Sequence, residues 1–334
     1  MKILFITNYK EGVGGISGQV AALQQHLREE GYTADIFSTR GSFWARLGMP
    51  EKMNRLIRNY DVVHIHCCSG WGGFLPAVFG VRYAKKNHKR TILTYHGGGA
   101  AYFFGRNKRL IRYFLRQTDQ NIVLSGFLGE VFDRYQIPYT IVPNIIELDS
   151  SAYRKRTRLN PNFICIRSHE KIYNIPCILQ AFKLVLEKDP DAKLTLVGDG
   201  SLHDELQQQV REMGLKNVFF TGRVDNSRIY RLLDQADIMV SAPTIDNMPV
   251  SLLEAMNAGL LVISSHVGGV PYMVRDMETG LLFPSDDHVA LAQRMLWALD
   301  NQNRSLAIVD SAHTEVMKYN WKSIRSILLS IYSE

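Results

Sequence analysis

Cysteine is scarce in this 334-residue chain. There are four, at positions 67, 68, 165 and 177. Two of them are neighbours, which argues against a disulfide framework, and their spacing matches no metal-ligand pattern. A reducing, cytoplasmic setting is the expectation. Long apolar runs are missing as well. No stretch approaches the roughly 20 residues a bilayer-spanning helix needs, so a soluble or peripheral protein is expected. The first nine residues, MKILFITNY, are apolar, but they are too short for an export signal and lack its cleavage site. They read as a buried first strand.

Acidic residues are under-represented in one half only. Residues 1–150 carry 19 Lys+Arg against 11 Asp+Glu, while the remainder carries 20 against 21, so the net charge of +7 belongs to the first half. A basic half suits an anionic lipid surface, an acidic acceptor or nucleic acid. Nucleic acid ranks last because the basic segments contain no recognisable binding module. The cations concentrate at Arg82, Lys85, Lys86, Lys89 and Arg90, and again from Arg106 to Arg116. Within the second segment a helix puts Arg109, Arg112 and Arg116 on one face and turns Leu110 and Phe114 toward apolar surroundings. Such a helix is either a solvated face or a patch that meets a membrane.

At 46% hydrophobic and 21% charged, the chain has enough apolar residues for two cores. Apolar segments at 3–7, 34–38, 61–66, 91–95 and 121–124 alternate with helix-period stretches, a pattern that predicts a parallel sheet covered by helices on both faces. The pattern restarts at 163–166, 194–197, 218–221, 238–241 and 260–263. A polar, basic stretch at 150–161 reads as the linker. The predicted domains are 1–150 and 151–315, with a final segment, 316–334.

In parallel sheets ligands bind at the C-terminal ends of the strands. The glycine-rich run Gly12-Val13-Gly14-Gly15 follows the first strand, and a backbone without side chains there can approach a phosphate, although glycines alone more often mean a tight turn. His66 and His96 sit at two other strand ends, where a lone histidine is more often structural than catalytic. Arg167 and Lys171 follow the strand that opens the second half, a suitable place for cations facing a diphosphate.

The most informative stretch is Asp246 to Gly259, DNMPVSLLEAMNAG. Pro249 suits a helix start, and Asp246 or Asn247 is placed to cap it. Free amides at a helix start attract anions. Glu254 then has two readings. It faces a polyol such as ribose, or it closes a capping box with Ser251.

This stretch resembles the acid-x7-acid motif of the family 4 glycosyltransferases, retaining enzymes of the GT-B class. The resemblance covers essentially the whole chain, strongly from 163 to 283, where Gly268-Gly269-Val270-Pro271 and Thr279 to Phe283 complete it. It implies an α/β fold with two Rossmann-like parallel-sheet domains facing across a cleft and a last helix, anchored by Trp321, crossing back to the first. It also implies that Glu254 grips the nucleotide ribose and Asp246 lies against the donor sugar, although Glu is usual at the Asp246 position. By the same resemblance His96, in Tyr95-His96-Gly97-Gly98-Gly99, lies near the donor sugar and the attacking hydroxyl, able to donate a hydrogen bond or relay a proton. Gly14 and Gly15 face the diphosphate or the acceptor. Arg167 and Lys171 bind the diphosphate, with the usual glycine after the lysine replaced by Ile172. The loop containing Val224 cradles the base, and Gly198, Met248, Val250 and Ser251 complete the donor site.

The implied activity is retaining, metal-independent transfer from a nucleotide-diphosphate sugar to the hydroxyl of a saccharide or lipid-linked acceptor. Cell-surface polysaccharide or glycolipid synthesis of bacterial type is the expected setting, with no cofactor beyond the donor and with cytoplasmic or inner-face peripheral localisation. The alternatives are a sugar-nucleotide epimerase of the same fold and a non-catalytic nucleotide-sugar-binding partner subunit.

Overall fold

The computed structural model describes residues 1–11, 15–41, 48–147 and 153–333. It divides into two units, Met1–Ile145 with Trp321–Glu334, and Ile146–Asn320.

The first unit is built on six parallel strands, β1 (Lys2–Thr7), β2 (Thr33–Ser38), β3 (Val62–Cys67), β4 (Arg90–Tyr95), β5 (Gln120–Val123) and β6 (Thr140–Ile141), in the order β2-β1-β3-β4-β5-β6. Helices α1 (Ile16–Glu29), α2 (Met49–Ile57), α3 (Trp71–Lys86), α4 (Ala100–Leu115) and α5 (Gly126–Arg134) connect them. Because both faces are covered, the strands read as nearly continuous apolar runs. Alternation along β1 sends Leu4 and Ile6 to one core and Ile3 and Phe5 to the other.

In the second unit β7 (Asn162–Ile166), β8 (Lys193–Val197), β9 (Val218–Gly222), β10 (Ile238–Ser241), β11 (Leu261–Ser265) and β12 (Leu281–Phe283) run parallel in the order β12-β11-β10-β7-β8-β9. Helices α6 (Ile175–Leu186), α7 (His203–Glu212), α8 (Asn226–Gln235), α9 (Val250–Asn257), α10 (His288–Asp300) and α11 (Gln302–Val316) pack around them. Arg156, inside the expected linker, is buried. It pairs with Asp237 at 2.9 Å and donates to the carbonyls of Leu233, Ala236, Ala258 and Gly259. These carbonyls lie at the ends of α8 and α9, so a cation there fixes both helix termini.

The last helix, α12 (Trp321–Ser333), belongs to the first unit. Ile324, Leu328, Ile331 and Tyr332 pack with Ile3, Phe5 and the α1 residues Val20, Leu23 and Leu27. Trp321 stacks on His26 with ring centroids 4.8 Å apart, and Arg90 donates twice to the carbonyl of Ile331.

One sequence expectation about the basic segments needs correction. Leu110 is exposed, while Phe103, Phe104, Ile111 and Leu115 are the buried positions of α4. The helix kinks at Asn107 (φ −128°), which rotates the second half away from the phase of an unbroken helix. In the 82–90 cluster Lys85 pairs with Asp119 and Arg90 fastens α12, while Arg82 and Lys86 are exposed.

Candidate functional site

In a sheet of this type the crevice lies where the strand order reverses. In the second sheet that is between β7 and β10, and the residues just past these strands meet there. The Arg167 Nε donates to Ser241 Oγ at 3.1 Å. One terminal nitrogen of the same guanidinium lies 3.1 Å from Asp246 Oδ2, an ion pair whose two side chains are 8% and 17% exposed. The Tyr173 ring lies 5.1 Å beneath its carbon. Gly198 permits this arrangement. Its φ is +138°, and a Cβ there would fall 2.0 Å from the carbonyl oxygen of Arg167, so only glycine lets the chain after β8 close against the arginine.

The neighbouring α9 starts at Val250. Pro249 holds the N-cap position, and no side chain caps the helix. The expected cap from Asp246 or Asn247 is therefore not formed, and the Asp246 carboxylate accepts from the Asn247 amide at 2.8 Å instead. The capping box is ruled out as well, because Ser251 lies inside the first turn, where its hydroxyl is buried with no hydrogen-bond partner among the described residues. What remains is a helix start with uncapped amides and an unengaged buried hydroxyl, a suitable cradle for an anion. One turn further, burial pushes the Glu254 carboxyl up to about 7, against the opposing pull of the Arg167 charge.

The other residues expected on this side are placed as follows. Met248 is buried, Val224 is half-buried after β9, and Lys171 is exposed at the start of a short 3-10 turn, Lys171–Tyr173, without an ion pair to any described residue. The sequence reading missed Ser241 and Tyr173. The signal for Ser241 was a hydroxyl closing the strand Ile-Met-Val-Ser. No Asp-x-Asp pair was expected, yet Asp189-Pro190-Asp191 is one; it lies in the turn before β8, at the opposite end of the strands from Arg167.

In the first unit the corresponding reversal lies between β1 and β3. Gly15 precedes α1 with φ +66°, and Gly14 lies outside the described residues. His64 and His66, two apart on β3, share the face covered by α1 and α12. His64 bonds Tyr332 Oη at 2.8 Å and Thr94 Oγ1 at 2.7 Å. His66 Nδ1 lies 2.8 Å from His96 Nε2, and the two rings are stacked. The His96 amide donates to the carbonyl of Cys67, and Gly97 fits because a Cβ there would fall 2.4 Å from Ser69 Oγ. Burial lowers the pKa of all three histidines, those of His64 and His96 to about 3. A cavity of about 30 Å³ adjoins them, lined also by Gln19, Leu23 and Leu124.

Two family descriptions fit this chain: Glycosyl transferases group 1 over residues 152–314 and Glycosyltransferase Family 4 over residues 38–150. The chain belongs to the family 4 (group 1) glycosyltransferases. Among relatives of this glycosyltransferase, N-acetyl-alpha-D-glucosaminyl L-malate synthase of Bacillus anthracis is 27% identical over 77% of this chain and 70% of its own. Alpha-monoglucosyldiacylglycerol synthase of Streptococcus pneumoniae is 23% identical over 86% of this chain and 76% of its own. With other relatives the chain spans only 28%, 39% or 53% of their length. Among solved structures, Alr3699/HepE of Anabaena in complex with UDP matches over the full length of both chains with a TM-score of 0.80 at 16% identity. The fold is GT-B.

Proposed function

We propose that this glycosyltransferase is a retaining enzyme that moves a sugar from a nucleotide-diphosphate donor to a hydroxyl acceptor in cell-surface polysaccharide or glycolipid synthesis. The observation that carries the proposal is the convergence of Arg167, the uncapped start of α9 with its unengaged Ser251 hydroxyl, and Glu254 at the strand-order reversal of the second sheet. The guanidinium and the first-turn amides hold the diphosphate, and Ser251 adds a hydrogen bond. The ionised Glu254 carboxylate accepts from the ribose hydroxyls. Charge that grows on the departing diphosphate is stabilised by groups already in place, the main electrostatic contribution to such a step. The exposed Lys171 reaches the same diphosphate once the donor is bound. With cations and amides in this role no divalent ion is required. The acceptor oxygen bonds to the anomeric carbon on the face from which the diphosphate leaves, and its proton passes to a phosphate oxygen. His96 acts on the side of the sugars.

Substituting Glu254→Ala tests this reading. Transfer to acceptor is expected to disappear while the circular dichroism stays that of the wild type; an active variant overturns the assignment. Incubation with donor alone, expected to return the sugar unchanged, separates transfer from epimerisation.

The acceptor reading extends to an anionic membrane surface. Along α4, Tyr102, Leu110 and Tyr113 are exposed at 70%, 42% and 63%, among the exposed cations Arg106, Lys108 and Arg109. Aromatic rings beside cations suit the interface of an anionic bilayer. Among the described residues no helix is long and apolar enough to cross a membrane.

A further inference from the structure

The His66–His96 contact admits only a small set of proton arrangements. His66 is buried against Phe5 and His64, and the half-buried His96 stacks on it, a setting in which a charged imidazolium is disfavoured. Two neutral rings whose nitrogens lie 2.8 Å apart share a single proton. If His96 donates it, the proton of His66 must sit on Nε2. That nitrogen is buried and has no hydrogen-bond partner among the described residues. The adjoining cavity is mostly apolar, and two of its polar side chains are already engaged, Thr94 with His64 and Gln19 with the backbone of Ile145. A buried N–H without an acceptor is rarer and more costly than an unused lone pair. The opposite arrangement leaves only a lone pair unengaged. In it His66 donates from Nδ1, and His96, accepting at Nε2, carries its own proton on Nδ1.

We propose that His66 is a positioning residue that holds His96 as the Nδ1–H tautomer, which keeps His96 from acting as a general base toward the reacting sugars. The placement of His96 beside the sugars rests on the function proposed above; the tautomer does not. A histidine whose Nε2 lone pair is occupied by His66 and whose Nδ1 is protonated has no basic nitrogen left to take the acceptor proton. That proton must go to the leaving diphosphate.

The test is long-range proton–nitrogen NMR of the full-length protein labelled with 15N-histidine, with signals assigned from His66→Asn and His96→Asn variants. The expected result is a protonated Nδ1 and an unprotonated Nε2 in both rings. Protonated Nε2 in both, or an imidazolium in either, overturns the proposal. No substrate enters this measurement, so it stands apart from the function. Should the wild type transfer nothing while both rings show Nδ1–H, the function fails and the tautomer survives.

A kinetic arm isolates the positioning role. The asparagine of His66→Asn offers an amide N–H where the ring Nδ1–H lies, whereas His66→Leu offers none. The asparagine variant should keep kcat within about threefold of wild type and the leucine variant should lose roughly 100-fold at near-constant donor KM, the scale expected when a reacting group is misplaced. Equal loss in both variants removes the positioning role. If the leucine variant does not fold, the His96 tautomer in His66→Asn decides alone. Its expected state is Nδ1–H.

Discussion

The two sheets have the same number of parallel strands but opposite chemistry at the place where strand order reverses. In the second, the reversal is charged. Arg167 spans it to Ser241 and pairs with Asp246, with Glu254 one helical turn beyond an uncapped helix start. In the first, it is filled by buried histidines that burial holds neutral. One fold thus gathers charged groups at one reversal and neutral, hydrogen-bonded rings at the other. Under the proposed function, the charged reversal takes the donor's diphosphate and the neutral one meets the acceptor.

Charge removal should break this comparison most severely. Arg167→Ala is expected to lower kcat/KM for transfer by roughly 1000-fold, as when a group that stabilises developing negative charge is lost. Arg167→Lys should restore only part of it, because a point charge cannot serve Ser241 and the diphosphate together. Initial rates over a donor titration measure both. On the neutral side, His96→Ala should cost less, about 100-fold, and leave donor affinity nearly unchanged in calorimetry.

Glu254 sharpens the comparison through pH. Its carboxyl, pushed up to about 7 by burial, keeps a proton in the folded state that an unfolded chain releases. Stability is therefore present in full below about pH 4.5 and falls as pH rises toward 7. Glu254→Gln removes the buried charge. Thermal or urea unfolding without ligand should find the variant more stable than wild type at pH 8, by about 1 to 3 kcal/mol, and equal at pH 4. The same variant should bind donor less tightly at pH 8. The smallest effect expected is at the surface. Replacing Tyr102 and Tyr113 with Ser should weaken sedimentation with anionic vesicles at low salt and leave transfer to a soluble acceptor unchanged.

Most of the fold was legible in the sequence because buried parallel strands are apolar on both faces, so segments such as Val62–Cys67 and Ile238–Ser241 stand out with boundaries good to a residue or two. The acidic pair and Arg167 were legible through motif resemblance. Less visible were features that depend on phase or on contacts distant in sequence. The kink at Asn107 exposed Leu110 against the helical pattern. Pro249, in extended geometry (ψ 111°), occupied the N-cap that Asp246 or Asn247 was expected to fill. His66 looked like an isolated histidine because its partner lies 30 residues away and is brought to it only by the β3–β4 pairing. Tyr173 was not visible as a site residue because only the short turn Lys171–Tyr173 brings its ring against Arg167.

The central claim is that Arg167 and the start of α9 hold a nucleoside diphosphate, and thermal-shift titration of wild type and Arg167→Ala against a panel of nucleoside diphosphates tests it most directly. At about 100 times the dissociation constant, at least one of them should raise the wild-type midpoint by about 5 to 10 °C and leave the variant unmoved. Equal shifts in both proteins, or none in the wild type with any nucleotide, would contradict the account.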